Sequence, residues 1–156
     1  MPNDRTVIVR LQADSPALPV LAEWRYDAFF RGTDVSLEES RRQLLAVAGS
    51  LDGEVAFLAE HGHKPAGICL YVHNEIDPAH DLTPWLASLY VAPEFRMQGI
   101  GRALVTAIEA HARSAGADRL HLYTIGAEAF YRHCGWVVAD RIDWHGGAFV
   151  LMHRDL

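Results

Sequence analysis

LYVAPEFRMQGIGRAL, residues 89–104, decides how the rest of the chain is read. Its first residues continue from Trp85 and Leu86 as an apolar run of strand length, closed by Pro93. Past the glycines the period changes. Ile100, Ala103, Leu104, Ala107, Ile108, His111 and Ala112 recur on one helical face, with Arg102, Thr106, Glu109 and Arg113 on the other. A strand therefore runs through a short turn into a helix. Gly99 and Gly101 lack Cβ atoms, so backbone N–H groups there can approach a bulky anion, and the helix N-terminus adds positive potential. Such a turn suits a pyrophosphate, and Arg96 brings a permanent charge to it.

Upstream, Val7, Val9 and Leu11 alternate with polar neighbours as in a strand with one buried face. Ser15 and Pro16 form an N-cap and first-turn pair for a helix whose apolar positions are Leu18, Leu21, Ala22 and Phe29. A second helix opens at Ser36, which makes a capping box with Glu39. Its apolar face is Leu37, Leu44, Leu45 and Ala48, and Gly49 stops it. Residues 54–60 and 65–73 are strand-length runs joined by HGHK, as in an antiparallel hairpin, and residues 74–84 form a loop. Downstream, Gly116 ends the long helix. Residues 120–123 are a strand, 127–133 a short helix, and 136–140 and 148–152 two strands around a turn at Gly146 and Gly147. This order predicts one α/β domain over residues 1–156, with helices packed on a mixed sheet.

Composition removes several function classes. A net charge of −6 opposes association with nucleic acid or anionic lipid and mildly favours a cationic small substrate. No apolar run is long enough for a membrane span, and MPNDRTVIVR has no secretory signal pattern, so a cytoplasmic location with no membrane partner is expected. Cys69 and Cys134 sit inside apolar patterns and read as buried thiols. His61 and His63 lie in a hairpin turn without a third ligand at useful spacing, so no metal is expected. Trp24, Trp85 and Trp136 belong to the core pattern, with Trp85 the one that could line an acceptor pocket. Neither a Gly-x-Ser-x-Gly elbow nor a Cys–His pairing supports a covalent acyl-enzyme.

A P-loop would need Gly-Lys-Ser/Thr where the chain has Gly101-Arg102-Ala103. A Rossmann turn would want a glycine at Leu104 and an acid near Tyr123 and Thr124. Arg96-Met97-Gln98-Gly99-Ile100-Gly101 instead matches an Arg/Gln-x-x-Gly-x-Gly/Ala turn, and here the chain resembles the GNAT family of N-acetyltransferases. The resemblance runs over residues 7–153 and includes the stretch 127–136, where Phe130, Tyr131, Gly135 and Trp136 fit the family pattern.

What the resemblance implies is specific. The sheet should be mostly antiparallel, with about seven strands flanked by about four helices. Acetyl-coenzyme A should be the co-substrate, without a metal. Leu89, Tyr90 and Val91 should pair through their backbones with the pantetheine arm, and the amides of Met97, Gln98, Gly99, Ile100, Gly101 and Arg102 should hold the pyrophosphate near Arg96. Tyr131 should face the thioester sulfur as general acid, a task suited to a phenol with an ordinary pKa of about 10. Thr124 stands where the family often has a pantetheine-binding Asn. Family members often place a Glu on the strand before the glycine turn as base, but residues 85–91 hold no carboxylate or His. Glu75, Asp77, His80 and Asp81 in the preceding loop are the candidates, with Glu75 and Asp81 placed first. The expected reaction is direct acetyl transfer to a primary amine of a small molecule or peptide. The alternative is a non-catalytic acyl-coenzyme A sensor of the same fold. A homodimer is one option for assembly.

Overall fold

The computed structural model describes residues 5–75, 81–144 and 146–156. Seven strands form one sheet: β1 (Thr6–Arg10), β2 (Val55–His61), β3 (Lys64–Val72), β4 (Trp85–Val91), β5 (Arg119–Thr124), β6 (Val137–Trp144) and β7 (Gly147–Asp155). Their order is β1-β2-β3-β4-β5-β7-β6. Helices α1 (Leu18–Arg25), α2 (Leu37–Ala48), α3 (Ile100–Ser114) and α4 (Glu128–His133) cover its faces. Every neighbouring pair is antiparallel except β4 and β5, which run parallel. The predicted element order and the mixed, mostly antiparallel sheet both hold. Among the described residues no helix is long and apolar enough to cross a membrane.

Alternation along the strands creates two cores. On one face Ile100, Leu104, Val105 and Ile108 of α3 pack with Leu120, Leu122, Tyr131 and Trp136. On the other, Leu18, Leu21 and Leu44 of α1 and α2 pack with Leu58, Ile68, Leu70 and Trp85.

Several local readings change. The Ser15 hydroxyl accepts the Ala17 N–H at 3.2 Å and closes a turn ahead of the helix. The helix itself begins at Leu18, so its first-turn proline is Pro19, not Pro16. After Arg25 the coil widens into a π-helical turn, Tyr26–Phe30, closed by the Arg31 N–H on the Tyr26 carbonyl at 2.8 Å. That turn leaves Phe29 exposed while the Phe30 ring lies 5.0 Å from the Arg25 guanidinium. In α2, Ser36 accepts the Glu39 N–H at 3.0 Å, but the Glu39 carboxylate pairs with Arg42 and does not reach back. Only half of the capping box forms. Glu109, expected on the polar face of α3, is buried beside Arg154 at 3.1 Å. Cys69 is buried and Cys134 only half-buried, and burial pushes both thiols up.

Adjacent leucines of α2 test the packing. Leu44 is 0% exposed and Leu45 45%. Leu44→Ala is expected to lower stability by about 2–5 kcal/mol and Leu45→Ala by less than about 1 kcal/mol in urea denaturation. Equal losses would mean that α2 presents a different face to the sheet.

Candidate active site

The site grows from an irregularity in β4. Leu70 pairs with Ala87 and Ile68 with Tyr90, so Cys69 stands opposite two residues, Ser88 and Leu89. This bulge re-phases the strand. Before it, Trp85 and Ala87 face the α1/α2 core and Leu86 the α3/α4 core; after it, Leu89 and Val91 face α3/α4 and Tyr90 faces α1/α2. Ser88 takes a left-handed backbone, φ +56°. β4 and β5 share only the Trp85–His121 register pair, with the His121 N–H on the Pro84 carbonyl at 3.1 Å. Beyond it the two strands separate, and the backbone groups of β4 that point toward β5 have no strand partner among the described residues.

Residues 96–99 are all exposed, and the chain turns through Met97 at φ +64° and Gly99 at φ +80° into α3. The first intrahelical bond is the Ala103 N–H on the Gly99 carbonyl at 3.0 Å, so the amides of Ile100, Gly101 and Arg102 have no acceptor within the helix. The two glycines serve different ends. A Cβ on Gly99 would meet open space, so that glycine supplies the positive φ. A Cβ on Gly101 would come within 3.3 Å of Phe130 Cζ and 3.7 Å of Val91 Cγ2, so that glycine lets α3 start close against α4 and β4. Its missing side chain therefore leaves room for protein packing, where the sequence suggested room for an anion. Arg96 turns back on β4, with Nε donating to the Val91 carbonyl at 2.9 Å and the guanidinium 5.5 Å from the Tyr90 ring.

Tyr131 lies on the α3/α4 side, 6% exposed, its ring edge-on to Trp136 at 6.0 Å. Burial raises its phenol far above the ordinary value, and the Cys69 and Cys134 thiols add to the shift. Cys69 is the β3 residue opposite the bulge, so the phenol is near the separation of β4 and β5. Thr124, nearly buried, ends β5 opposite Val150 of β7.

Across the sheet, on the α1 side, stand Arg25 and Glu75. Arg25 is 5% exposed, and burial lowers its guanidinium to about 10, opposed by Glu75. Glu75 still reaches solvent, but desolvation by the protein around it lifts its carboxyl to about 7, opposed by Arg25. Asp81 is exposed. Asp77 and His80 lie outside the described residues. Trp85 does not line a pocket: it is buried, donates from Nε1 to the Leu82 carbonyl at 2.7 Å and stacks on Tyr123 at 4.9 Å. Arg25 was not singled out from sequence, although a signal existed. Leu18, Leu21 and Ala22 define an apolar stripe, and the next position on it is an arginine.

The glycine at the head of α3 can be tested by rank order. Gly99→Ala is expected to destabilise by roughly 1–2 kcal/mol, with Gly99→Asn closer to wild type, because Asn tolerates a left-handed backbone. Denaturant unfolding of the three proteins measures it, and Ala matching Asn would remove the positive φ from the account.

Residues 18–136 match the family described as Acetyltransferase (GNAT) family. A curated relative, aminoglycoside N(6')-acetyltransferase type 1 of Stenotrophomonas maltophilia, is 31% identical over 120 residues, covering 70% of this chain and 73% of its own. Among solved structures, an aminoglycoside 6'-N-acetyltransferase complexed with coenzyme A superposes with a TM-score of 0.75 at 15% identity over 96% of each chain. The ribosomal-protein-alanine N-acetyltransferase of Brucella melitensis also gives 0.75, at 21% identity, over 96% of this chain and 99% of its own.

Proposed function

The chain belongs to the acetyltransferase (GNAT) family, a family of acyl-coenzyme A-dependent acyltransferases, and from that premise we propose that it moves an acetyl group from acetyl-coenzyme A to a primary amine by direct transfer in a ternary complex. The observation that carries this reading is the partnerless stretch of β4, with a buried phenol on one side of the sheet and a carboxyl of near-neutral pKa on the other. The acceptor is a small cationic amine of the aminoglycoside kind. Supporting it are the similarity to an aminoglycoside N(6')-acetyltransferase, the net charge of −6 and Glu75 on the acceptor side.

The free β4 edge fits an extended amide-bearing arm, and the turn into α3 fits a pyrophosphate. Acetyl-coenzyme A, when bound, supplies the thioester-activated acetyl group. Backbone groups of Leu89, Tyr90 and Val91 hold the pantetheine arm as an added strand would be held, and the Thr124 hydroxyl offers a further hydrogen bond to it. Amides of Met97, Gln98, Gly99, Ile100, Gly101 and Arg102 hold the pyrophosphate, with α3's N-terminal potential and the Arg96 charge behind them. A backbone N–H near Val91 faces the oxygen on which charge develops. Glu75 takes the proton of the incoming ammonium, for which a pKa of about 7 suits it at neutral pH. Asp81, exposed just ahead of β4, adds to the negative potential that draws the cation in. Tyr131 Oη keeps its proton throughout neutral pH and passes it to the departing sulfur.

Free thiol released with an aminoglycoside, a polyamine and a peptide N-terminus as acceptors tests the reaction. The aminoglycoside is expected to be turned over fastest, and absence of release with every amine would overturn the reading. Tyr131→Phe is expected to lower kcat by roughly 10²-fold while acetyl-coenzyme A affinity by calorimetry stays near wild type. A much smaller loss would leave Tyr131 a packing residue. A base must be deprotonated to act, so kcat/KM should rise with pH through about 7, the value to which Glu75 is lifted. Glu75→Gln should remove that rise. A retained rise would assign it to the acceptor amine or another group.

A further inference from the structure

Arg25 is a cation held almost wholly out of water on a helix face that otherwise packs with aliphatic side chains. A hydrophobic side chain would fill that space at lower desolvation cost, so the charge calls for a reason. Its contacts supply one. Nε donates to the Ser88 hydroxyl at 3.0 Å, on the bulged residue of β4. Nη1 donates to the Ser40 carbonyl at 3.2 Å, on α2. The Ser40 hydroxyl in turn donates to the Ala22 carbonyl of α1 at 2.9 Å, and the Phe30 ring lies against the guanidinium. One side chain thus ties α1, α2 and the π-helical turn to the one β4 residue with a left-handed backbone. For a non-glycine residue that conformation is strained by about 1–3 kcal/mol and persists only when its surroundings hold it.

We propose that Arg25 is a positioning residue for acetyl transfer: by holding the Ser88 hydroxyl it keeps the β4 bulge formed, and so keeps residues 89–91 in the phase that sets their freed edge between Tyr131 and Glu75. The proposal rests on the reading of residues 89–91 as the edge that holds the cofactor. It goes beyond that reading in naming what holds the edge in place, a buried guanidinium from the acceptor side of the sheet. Arg25 itself does not touch the reacting atoms; it acts through Ser88.

The test exploits an inverted rank order at Ser88. Inside a strand, glycine is ordinarily worse than alanine. Here alanine keeps the Cβ that opposes a positive φ and loses the hydroxyl that Arg25 holds, whereas glycine adopts that φ unaided. With both substrates saturating, well below the unfolding midpoint of each variant, Ser88→Ala is expected to lower kcat roughly tenfold and Ser88→Gly to remain within about twofold of wild type. Arg25→Lys keeps the charge but not the two-pronged donor geometry and should also lose roughly tenfold. Combined with Ser88→Gly it should lose little, because the glycine bulge no longer depends on the clamp. A purely stabilising Arg25 would change unfolding midpoints and leave kcat of the folded enzyme alone, which would overturn the proposal. Alanine equal to or better than glycine at Ser88, or an additive double variant, would overturn it too. Should Arg25→Lys fail to fold, the two Ser88 variants still decide. Wild-type protein that binds no acetyl-coenzyme A by calorimetry would instead bring down the parent reading of the β4 edge.

Discussion

Between Ile68 and Leu70, β3 offers one residue where β4 carries two, and the sheet absorbs the extra residue by turning Ser88 left-handed. The consequences spread along the strand, because side-chain direction in a strand has a period of two. Leu89 and Val91 move to the α3/α4 face and Tyr90 to the α1/α2 face. The parallel pairing with β5 stops after one register pair, ahead of the bulge, and beyond it a bulged, more strongly twisted strand does not regain step with a regular neighbour. Unpaired backbone in the middle of a sheet is costly unless solvent or a ligand meets it. A bulge here therefore converts a structural defect into an edge that can accept another chain.

The two cores give that edge two unlike surroundings. On the α3/α4 side the environment around Tyr131 is tightly packed, with the phenol enclosed by Cys69, Cys134 and Trp136 and two charges of that side, Glu109 and Arg154, paired with each other. The turn into α3 stands at the end of β4 on this side, where its amides face outward among exposed residues. On the α1/α2 side a buried guanidinium and a carboxyl stand together, and Trp24 lies half-buried 5.5 Å from Tyr90. In the proposed transfer, a thioester approached from one face and an amine from the other can meet only where the sheet is open.

The elements that follow hydrophobic period and turn chemistry were legible in the sequence: the strand before the glycines, α3, the β2–β3 hairpin and the Ser36 cap. Gly99 was singled out for close approach to an anion, and the structure adds a second, local reason for a glycine there, its positive φ. What could not be read depends on contacts across the chain. The bulge leaves no mark in the run of residues 85–91, since it is defined only by the register with β3. Gly101 has the same residue type as Gly99, but the atom that crowds a side chain there belongs to Phe130 on another helix. Glu109 has the helical phase of a surface residue and is buried because Arg154, from β7, comes to meet it. Arg25 was the legible exception, a charge on an apolar stripe.

Desolvation acts in the same direction on the two groups proposed for proton transfer, and its consequence differs because their ordinary pKa values lie on opposite sides of neutrality. For Glu75, moving the carboxyl up from the usual carboxylate range to about 7 makes a weak base into one matched to its surroundings. The Arg25 cation opposes that rise. For Tyr131, the same upward push removes any tendency to ionise at rest, so its proton is in place for the donation proposed for it. It also makes the phenol a poorer acid in isolation, so donation has to follow the growth of negative charge on sulfur and cannot precede it. The two groups meet that desolvation differently: Tyr131 is enclosed in the α3/α4 core, whereas Glu75 still reaches solvent and is desolvated by the protein on its Arg25 side.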